Sequence, residues 1–295
     1  RRFGRSTATG DTPCDTVNLG LNEDLDTDEL PARVNLEYSD GSAGTLPVTE
    51  WDTSDVDVST PGGYQITGEV TQTTYPTPFA DERADPSVYK FDWNGTTKYL
   101  MIATNDLYGD NVVQQSQAFM PVRMADSISG LSDEAGADEV KLLKRGDTDA
   151  LGRTITGCFW APEFHEINGR LSILFMPCYS NNPDMWTGRA SIIQLNQDAD
   201  GNDLDPSDPA SWTKAQEVVR ADGSALNQLA GISLDMTFFQ DEAGQSYYNW
   251  QQLGANFIAR VDPANPTRLT SEPVRIVVPE YAWDNTIAEG PNVLN

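Results

Sequence analysis

Three hairpin signals of one design recur along the chain, and they limit its fold more than any other feature. Each signal is a short β-rich run, a polar turn that contains glycine, and a second run with aromatic or β-branched residues. The turns lie at Asn94 and Gly95, at Asn168 and Gly169, and at residues 241–244. Their separation of roughly 70 residues suits the blades of a β-propeller, with a β-sandwich as the structural alternative.

Helix signals are scarce. The one persuasive helical segment is "DEAGADEVKLL", residues 133–143, and it is short. The remainder reads as strands closed by Gly, Asn, Asp and Pro. We therefore predict an all-β chain.

The first third of the chain follows a different pattern. Strand-like runs over residues 30–70 contain "YSDG", "LPVTEWDTSDVD" and "PGGYQITGEV", with turn signals such as Asp40 and Gly41 between them. This stretch resembles a bacterial Ig-like module, which implies a small β-sandwich that serves as a spacer or for surface presentation. We predict an N-terminal extension at 1–29, the Ig-like module at 30–72 and the propeller part at 73–295.

The charge balance limits the partners of the chain. Forty-five acidic residues against nineteen basic ones give a formal net charge of −26. A nucleic acid or an anionic membrane surface would be repelled by such a charge. No apolar run approaches the ~20 residues that span a bilayer. We expect no nucleic-acid partner and no membrane-spanning segment.

Histidine and cysteine usage argues against a metal centre. His165 is the one histidine, so a three-histidine zinc site is excluded, and a Ser-His-Asp relay lacks a Gly-x-Ser-x-Gly elbow. The acidic segment 196–209 places Gly201 wrongly for an EF-hand and reads as a solvated loop. We expect no cofactor and no metal site from the residues of this chain.

The three cysteines are not spaced like zinc ligands. Cys158 and Cys178 flank a strand, an Asn-Gly turn and a second strand, while Cys14 lies far away. A hairpin would bring the two flanking cysteines together. Both a disulfide and a pair of free buried thiols remain open.

Three carboxylates have sequence neighbours that are unusual for exposed acidic residues. Asp85 precedes a proline, which biases it towards an extended conformation at the start of a strand. Asp235 is embedded in an apolar strand, where burial of a carboxylate is costly. Glu289 precedes Gly290 and Pro291, which can hold it at a strand end. Each alone could be a turn cap or an ion-pair partner, but their joint occurrence in successive hairpins favours a chemical role.

Five motifs occur in an order that resembles glycoside hydrolase family 43. They are "RADPSVYKFDWNGTTKYLMIATND", "RMADSISGL", "CFWAPEFHEINGRLSILFM", "SLDMTFFQDEAGQSYYNW" and "AEGPNVL", and they run from about Pro78 to the end of the chain. The resemblance implies a five-bladed β-propeller of which this chain covers about the first three blades. It also implies an enzyme that acts on arabinose- or xylose-containing plant polysaccharides.

The resemblance assigns roles to the three carboxylates. It implies that Asp85 is the general base, that Glu289 is the general acid, and that Asp235 orients the acid and raises its pKa. An ordinary glutamate would not hold a proton at neutral pH, so the acid needs such help. The family inverts the anomeric configuration, which requires a separation of ~6.5–9.5 Å between base and acid.

Four further residues are candidate substrate contacts. Trp160 and Trp250 could each stack on a sugar face or belong to the core. Glu163 could bond a sugar hydroxyl or cap a turn. Arg83 lies two residues before the expected base in the sequence and could hold it ionised.

The resemblance favours an extracellular or cell-surface α-L-arabinofuranosidase that binds a plant oligo- or polysaccharide. A β-xylosidase, a galactanase and a catalytically silent carbohydrate-binding propeller are the alternatives. Family members continue through roughly two more blades after the Glu-Gly-Pro motif. We therefore expect a C-terminal polypeptide that completes the propeller, and later blades leave room for a structural calcium ion.

Overall fold

The computed structural model of the chain describes residues 17–37, 43–70, 75–106, 117–181, 185–227, 231–281 and 286–293. Over these residues the chain forms four antiparallel sheets and four 3-10 helices of three residues each. It divides into two compact units, Arg1–Tyr75 and Pro76–Asn295. The predicted all-β class is confirmed.

The predicted helix at 133–143 is wrong. The four described 3-10 helices are Thr27–Glu29, Ser129–Leu131, Met185–Thr187 and Pro209–Ser211. Residues 133–136 instead form a turn in which Gly136 has a φ of +66°, and the strand Glu139–Lys144 follows. Leu142 is buried while Lys141 is exposed, an alternation that suits a strand paired to its neighbour better than a helix.

The N-terminal unit contains a three-stranded antiparallel sheet. Its strands, in spatial order, are β1 (Arg33–Glu37), β2 (Ala43–Asp52) and β3 (Thr67–Val70). The indole of Trp51 packs over Gly68, where a Cβ atom would lie 2.9 Å from the ring. The predicted turn at Asp40 and Gly41 lies outside the described residues.

The C-terminal unit contains three four-stranded sheets, each a meander of consecutive strands. The first sheet comprises β4 (Arg83–Trp93), β5 (Thr96–Asn105), β6 (Phe119–Ala125) and β7 (Glu139–Lys144). The second sheet comprises β8 (Ile155–Ile167), β9 (Arg170–Tyr179), β10 (Ser191–Gln194) and β11 (Gln216–Glu217). The third sheet comprises β12 (Ser233–Gln240), β13 (Ser246–Gln252), β14 (Ala255–Arg260) and β15 (Val274–Val277). Three such sheets match the three predicted blades, and the total of five blades stays a prediction.

The predicted hairpins are confirmed in all three sheets. Asn94 and Gly95 join β4 to β5 with φ values of +51° and +85°. Asn168 and Gly169 join β8 to β9 with φ values of +55° and +67°. Two consecutive left-handed residues favour Asn-Gly, because glycine carries no Cβ and asparagine tolerates this region.

Apolar side chains fill the space between successive sheets. One cluster joins the first and second sheets and includes Ile102, Phe159 and Phe164. A second cluster joins the second and third sheets and includes Leu174 and Tyr248. This packing fixes the first strands of the three sheets beside one another.

Hydrogen bonds also connect these first strands. Ser87 Oγ on β4 accepts a bond of 3.2 Å from the backbone N–H of Phe164 on β8. His165 Nε2 on β8 accepts one of 3.3 Å from the backbone N–H of Phe238 on β12. The strand β8 therefore lies between β4 and β12 and is bonded to both.

A disulfide joins Cys158 on β8 to Cys178 on β9, with their Cα atoms 5.4 Å apart. Of the two alternatives left open by the sequence, the structure therefore has the bonded pair. Met176 and Leu234 pack with the two cysteines in a small apolar cluster, which Trp160 also contacts. The disulfide thus lies close to the junction of the second and third sheets.

Candidate active site

The first strand of each sheet in the C-terminal unit carries the same irregularity. In β4 the pairing register shifts between Ala84 and Ser87, so that two residues stand opposite one residue of β5. Equivalent shifts occur in β8 between Trp160 and Glu163, and in β12 between Leu234 and Thr237. Such β-bulges re-aim side chains and are frequent next to active sites.

The residue that opens each bulge adopts a left-handed backbone conformation. The φ values are +48° at Asp85, +45° at Ala161 and +53° at Asp235. The extended conformation predicted for Asp85 from the proline that follows it is therefore wrong, because the bulge imposes a left-handed backbone there. These three residues are therefore structurally equivalent. Two of the three equivalent positions present a carboxylate, and both are residues that the sequence singled out.

Asp85 is held by a hydroxyl that also holds the second bulge. Thr104 Oγ1 donates a hydrogen bond of 2.9 Å to Asp85 Oδ2 and accepts one of 2.9 Å from the backbone N–H of Ala161. Thr104 is buried, which strengthens both bonds relative to water. The carboxylate of the first sheet and the bulge of the second are thereby fixed together.

Asp235 brings the Glu-Gly-Pro motif to the same place. Its Oδ2 accepts a hydrogen bond of 2.8 Å from the backbone N–H of Gly290. Gly290 has a φ of +63°, a conformation that suits glycine, and the adjacent Pro291 is buried. Glu289, which is exposed, is consequently presented beside Asp235.

Electrostatics show that the carboxylates are close neighbours. Burial raises the pKa of Asp235 to about 6, and the bond from Gly290 opposes this rise. The negative charges of Asp85, Glu289 and Glu163 raise it further. The four carboxylates from three sheets and the C-terminal segment therefore share one site.

Glu163 closes the bulge of the second sheet and links it to the third sheet. Its Oε1 lies 3.3 Å from Thr237 Oγ1 and 3.4 Å from Asn292 Nδ2, both of which can donate to it. His165 Nε2 lies 3.4 Å from Glu163 Oε2. The predicted bond from Glu163 to a sugar hydroxyl stays a prediction, with one face of the carboxylate held by protein donors.

Thr104, Thr237 and Asn292 are supporting residues that the sequence reasoning missed. For Thr104 a signal was present in the chain. Counting pairs outward from the two-residue turn at Asn94 and Gly95 places residue 104 opposite Asp85, before the bulge shifts the pairing by one. Thr237 and Asn292 bond to Glu163 across sheets, which no local pattern encodes.

Trp250 corrects one of the predicted substrate contacts. Its side chain is fully buried in the core between the second and third sheets, and its indole stacks on Phe257 at 6.3 Å. Trp250 is therefore a core residue and not a sugar contact, because a buried ring offers no face to a sugar. Trp160 is half-buried beside the second bulge and stays a candidate contact.

Arg83 corrects another prediction. Its guanidinium pairs with Glu139 at 2.6 Å and donates to Asn105 Oδ1 at 3.1 Å, and none of its described bonds reaches Asp85. Arg123 also pairs with Glu139, at 3.0 Å. Arg83 thus joins an ion-pair network within the first sheet, because the bulge turns Asp85 away from it.

Within the described residues no group of three or more His, Cys, Asp or Glu side chains is arranged to hold a metal ion. In the segment 196–209, Asp198 Oδ1 accepts bonds of 2.9 Å from the backbone N–H groups of Asp200 and Asn202, so this carboxylate caps its own loop. Among the described helices none is long and apolar enough to cross a membrane.

Comparison with known proteins gives relatives for both units. Residues 15–73 match the bacterial Ig-like domain (group 4), so the match includes part of the segment predicted as an extension. The extracellular exo-α-(1→5)-L-arabinofuranosidase of Streptomyces avermitilis is 27% identical over 75% of this chain. The enzyme of the same name from Streptomyces chartreusis is 26% identical over 75% of the chain.

A solved structure is also similar. The crystal structure of α-L-arabinofuranosidase from Lactobacillus brevis covers 75% of this chain with 27% identity and a TM-score of 0.56. The chain spans 40% and 58% of the length of the two curated relatives, and 62% of the Lactobacillus brevis chain. These matches confirm the resemblance that the motifs indicated, while the predicted domain boundaries stay a prediction.

Proposed function

We propose, from the resemblance of this chain to the α-L-arabinofuranosidases of glycoside hydrolase family 43, that the protein removes α-L-arabinofuranosyl residues from plant cell-wall polysaccharides. The reaction proceeds with inversion of configuration. The relatives bear names of this activity, and the site offers the carboxylates that such hydrolysis needs.

One observation carries the proposal. Asp235 accepts a hydrogen bond from Gly290 beside Glu289, and the charges of both Asp85 and Glu289 raise its pKa. Three residues separated by 150 and 54 positions in the sequence are thus gathered at one site. Gathering like charges disfavours the folded state, so a chemical use explains the arrangement better than a structural one.

The proposed roles follow from how each carboxylate is held. Asp85, fixed by Thr104, takes a proton from a water molecule whose oxygen attacks the anomeric carbon. Protonated Glu289 donates its proton to the glycosidic oxygen as the bond to the anomeric carbon breaks. Asp235 positions Glu289 through its hydrogen bond from the backbone N–H of Gly290. Arabinose and the shortened glycan leave, and both carboxylates then return to their starting states by proton exchange with water.

Two sets of alternatives stay open within this site. β-Xylosidase and galactanase activities would use the same carboxylates with a different sugar. A silent carbohydrate-binding propeller would bind glycans without needing an acid and a base. The gathering of Asp85, Asp235 and Glu289 favours catalysis, because simple binding would not require three mutually repelling charges.

Parallel assays test the proposal. The protein is offered aryl α-L-arabinofuranoside, β-D-xyloside and β-D-galactoside, and we expect the arabinofuranoside to give the highest kcat/KM. A higher kcat/KM for the xyloside or the galactoside would show that this other sugar is the substrate. Glycan binding without turnover, unchanged in Glu289→Gln, would establish the silent propeller instead.

We also propose an extracellular or cell-surface location and a polypeptide that completes the propeller. The curated relatives are named extracellular enzymes.

The third sheet exposes Val274, Ile276 and Val277 on β15, which further polypeptide could cover. Denaturing mass spectrometry of the purified active protein tests this. A single species of 32.3 kDa, the mass of this chain, that is monomeric and fully active would contradict it.

A further inference from the structure

A largely exposed tryptophan stands beside the candidate active site. Trp186 exposes 60% of its surface and lies in the 3-10 helix Met185–Thr187, which connects β9 to β10. Its ring meets the indole of Trp160 edge-on, with 5.8 Å between centroids and 67° between planes. Trp160 in turn directly precedes Ala161, which opens the second bulge.

The segment that carries Trp186 is held by contacts of the two residues that follow it, Gly188 and Arg189. A Cβ atom at Gly188 would lie 2.7 Å from Sδ of the buried Met176, so a side chain at this position would require Met176 to move. The guanidinium of Arg189 donates to the carbonyl of Gly231 at 2.9 Å, to that of Asn227 at 3.1 Å and to that of Thr187. The 3-10 helix that carries Trp186 is thus anchored to the start of the third sheet.

The aromatic pair adjoins the carboxylates. Trp160 packs on the apolar cluster that contains the disulfide and Leu234, and Leu234 directly precedes Asp235. The two indoles therefore form a corner that we call the tryptophan corner, made of Trp160 and Trp186. Its inner member, Trp160, is half-buried against the cluster that contains Leu234, and its outer member, Trp186, is largely exposed.

We propose that the tryptophan corner is a subsite for the sugar on the leaving-group side of the bond that is cleaved. A sugar ring presents C–H groups on its faces, and a rigid indole of large apolar area is suited to cover them. The outer position suits the remaining glycan, which extends to solvent, while the released arabinose occupies the carboxylate site. This inference rests on the proposed function and names the part of the substrate that Trp186 takes.

A pair of substrates isolates this contact. An arabino-oligosaccharide has a sugar ring on the leaving-group side, whereas methyl α-L-arabinofuranoside has only a methyl group. In Trp186→Ala we expect kcat/KM for the oligosaccharide to fall about 10-fold, in the range of one aromatic contact, and kcat/KM for the methyl glycoside to stay within about 2-fold. Trp186→Phe should recover part of the loss because it keeps a flat ring.

The control is Leu151→Ala, which removes an apolar side chain that is 79% exposed in a turn between β7 and β8. It should leave both substrates unaffected. An equal loss on both substrates in Trp186→Ala, or no loss on either, would overturn the subsite.

If the unmodified protein hydrolyses neither substrate, the proposed function is wrong. The subsite is then tested by measuring oligosaccharide binding. Titration of the oligosaccharide, followed by tryptophan fluorescence, should then show binding that Trp186→Ala weakens about 10-fold. Binding of equal strength in the variant would overturn the subsite independently of catalysis.

Discussion

The bulges of the first and third sheets hold an aspartate where the bulge of the second sheet holds an alanine. Asp85 and Asp235 each accept one described hydrogen bond, from Thr104 and from Gly290. Ala161 has the same left-handed backbone and no polar side chain, and its backbone N–H bonds to Thr104. The bulge is therefore a repeated feature of the scaffold, and the carboxylates are an addition at two of its three copies.

The alanine copy also shows what holds the shape. A left-handed φ costs about 1–2 kcal/mol for an ordinary residue, and aspartate tolerates it better than alanine because its side chain can bond locally. Cys158 and Phe159, just before Ala161, are left-handed as well. Tertiary contacts therefore impose the bulge in the second sheet, where local preference does not support it.

The largest effect is expected at a carboxylate-bearing bulge. Asp85→Asn removes the proposed base while keeping its size, so kcat/KM for an aryl arabinofuranoside should fall at least 10³-fold, as for loss of general base catalysis. Ala161→Gly, at the equivalent position of the second sheet, is the matched control and should retain activity within about 3-fold. Retention of more than a tenth of the activity in Asp85→Asn would contradict the claim that the carboxylate at this bulge is the base.

Removal of the link between two bulges should have the next largest effect. Thr104→Val keeps the shape of the side chain but leaves the N–H of Ala161 without its acceptor. This should lower the free energy of unfolding by about 1–3 kcal/mol, the cost of a buried unpaired donor, and lower kcat by about 10-fold. Thr104→Ser restores the hydroxyl and should recover most of both losses. Wild-type urea unfolding and activity in Thr104→Val would contradict the link.

The burial of Asp235 predicts a dependence of stability on pH. Its pKa is about 6 in the folded protein against 3.8 normally. The folded state therefore binds the proton more tightly, and this contribution is fully present below about pH 4 and is lost as the pH rises through about 6. Asp235→Asn removes the charge, so its free energy of unfolding relative to wild type should be greater at pH 8 than at pH 4, by about 2–3 kcal/mol.

Thermal unfolding of Asp235→Asn and wild type at both pH values measures this difference. Glu242→Gln, in the exposed turn between β12 and β13 of the same sheet, is a control for a general change in net charge. A difference in Tm between Asp235→Asn and wild type that is the same at both pH values would contradict the raised pKa.

The smallest effect is expected at the alanine bulge. Ala161→Gly removes the steric cost of a left-handed alanine, although glycine also makes the unfolded chain more flexible. We expect the two effects to leave a net gain of less than about 1 kcal/mol in urea unfolding. A loss above about 1 kcal/mol would show that the Cβ of Ala161 makes a contact that outweighs its backbone strain.

The features that the sequence revealed are those encoded locally. The Asn-Gly turns could be predicted because both residues must adopt positive φ values there. Asp85 stood out because a proline follows it, and Glu289 stood out because Gly290 and Pro291 follow it. A disulfide between Cys158 and Cys178 followed as one of two options, because the hairpin between them sets the distance.

The features that the sequence missed depend on distant partners. The predicted contact of Arg83 with the base failed because its partner, Glu139, comes from the far edge of the same sheet. The place of Trp250 was left open because both faces of a central strand carry apolar residues. The sequence pattern does not tell which of the two faces packs against the next sheet. The segment 133–143 looked helical by composition, but Gly136 and pairing with β6 decided its structure.

The central claim is that Asp85 and Glu289 act as base and acid, brought together by the bulge at Asp235. Leaving-group dependence tests it most directly, because dinitrophenolate departs without a proton whereas methoxide needs one. We expect Glu289→Gln to lose about 10³-fold in kcat/KM on methyl α-L-arabinofuranoside but under 10-fold on the dinitrophenyl glycoside, and Asp85→Asn to lose heavily on both. Rescue of Asp85→Asn by the dinitrophenyl leaving group, with no rescue of Glu289→Gln, would contradict the assignment.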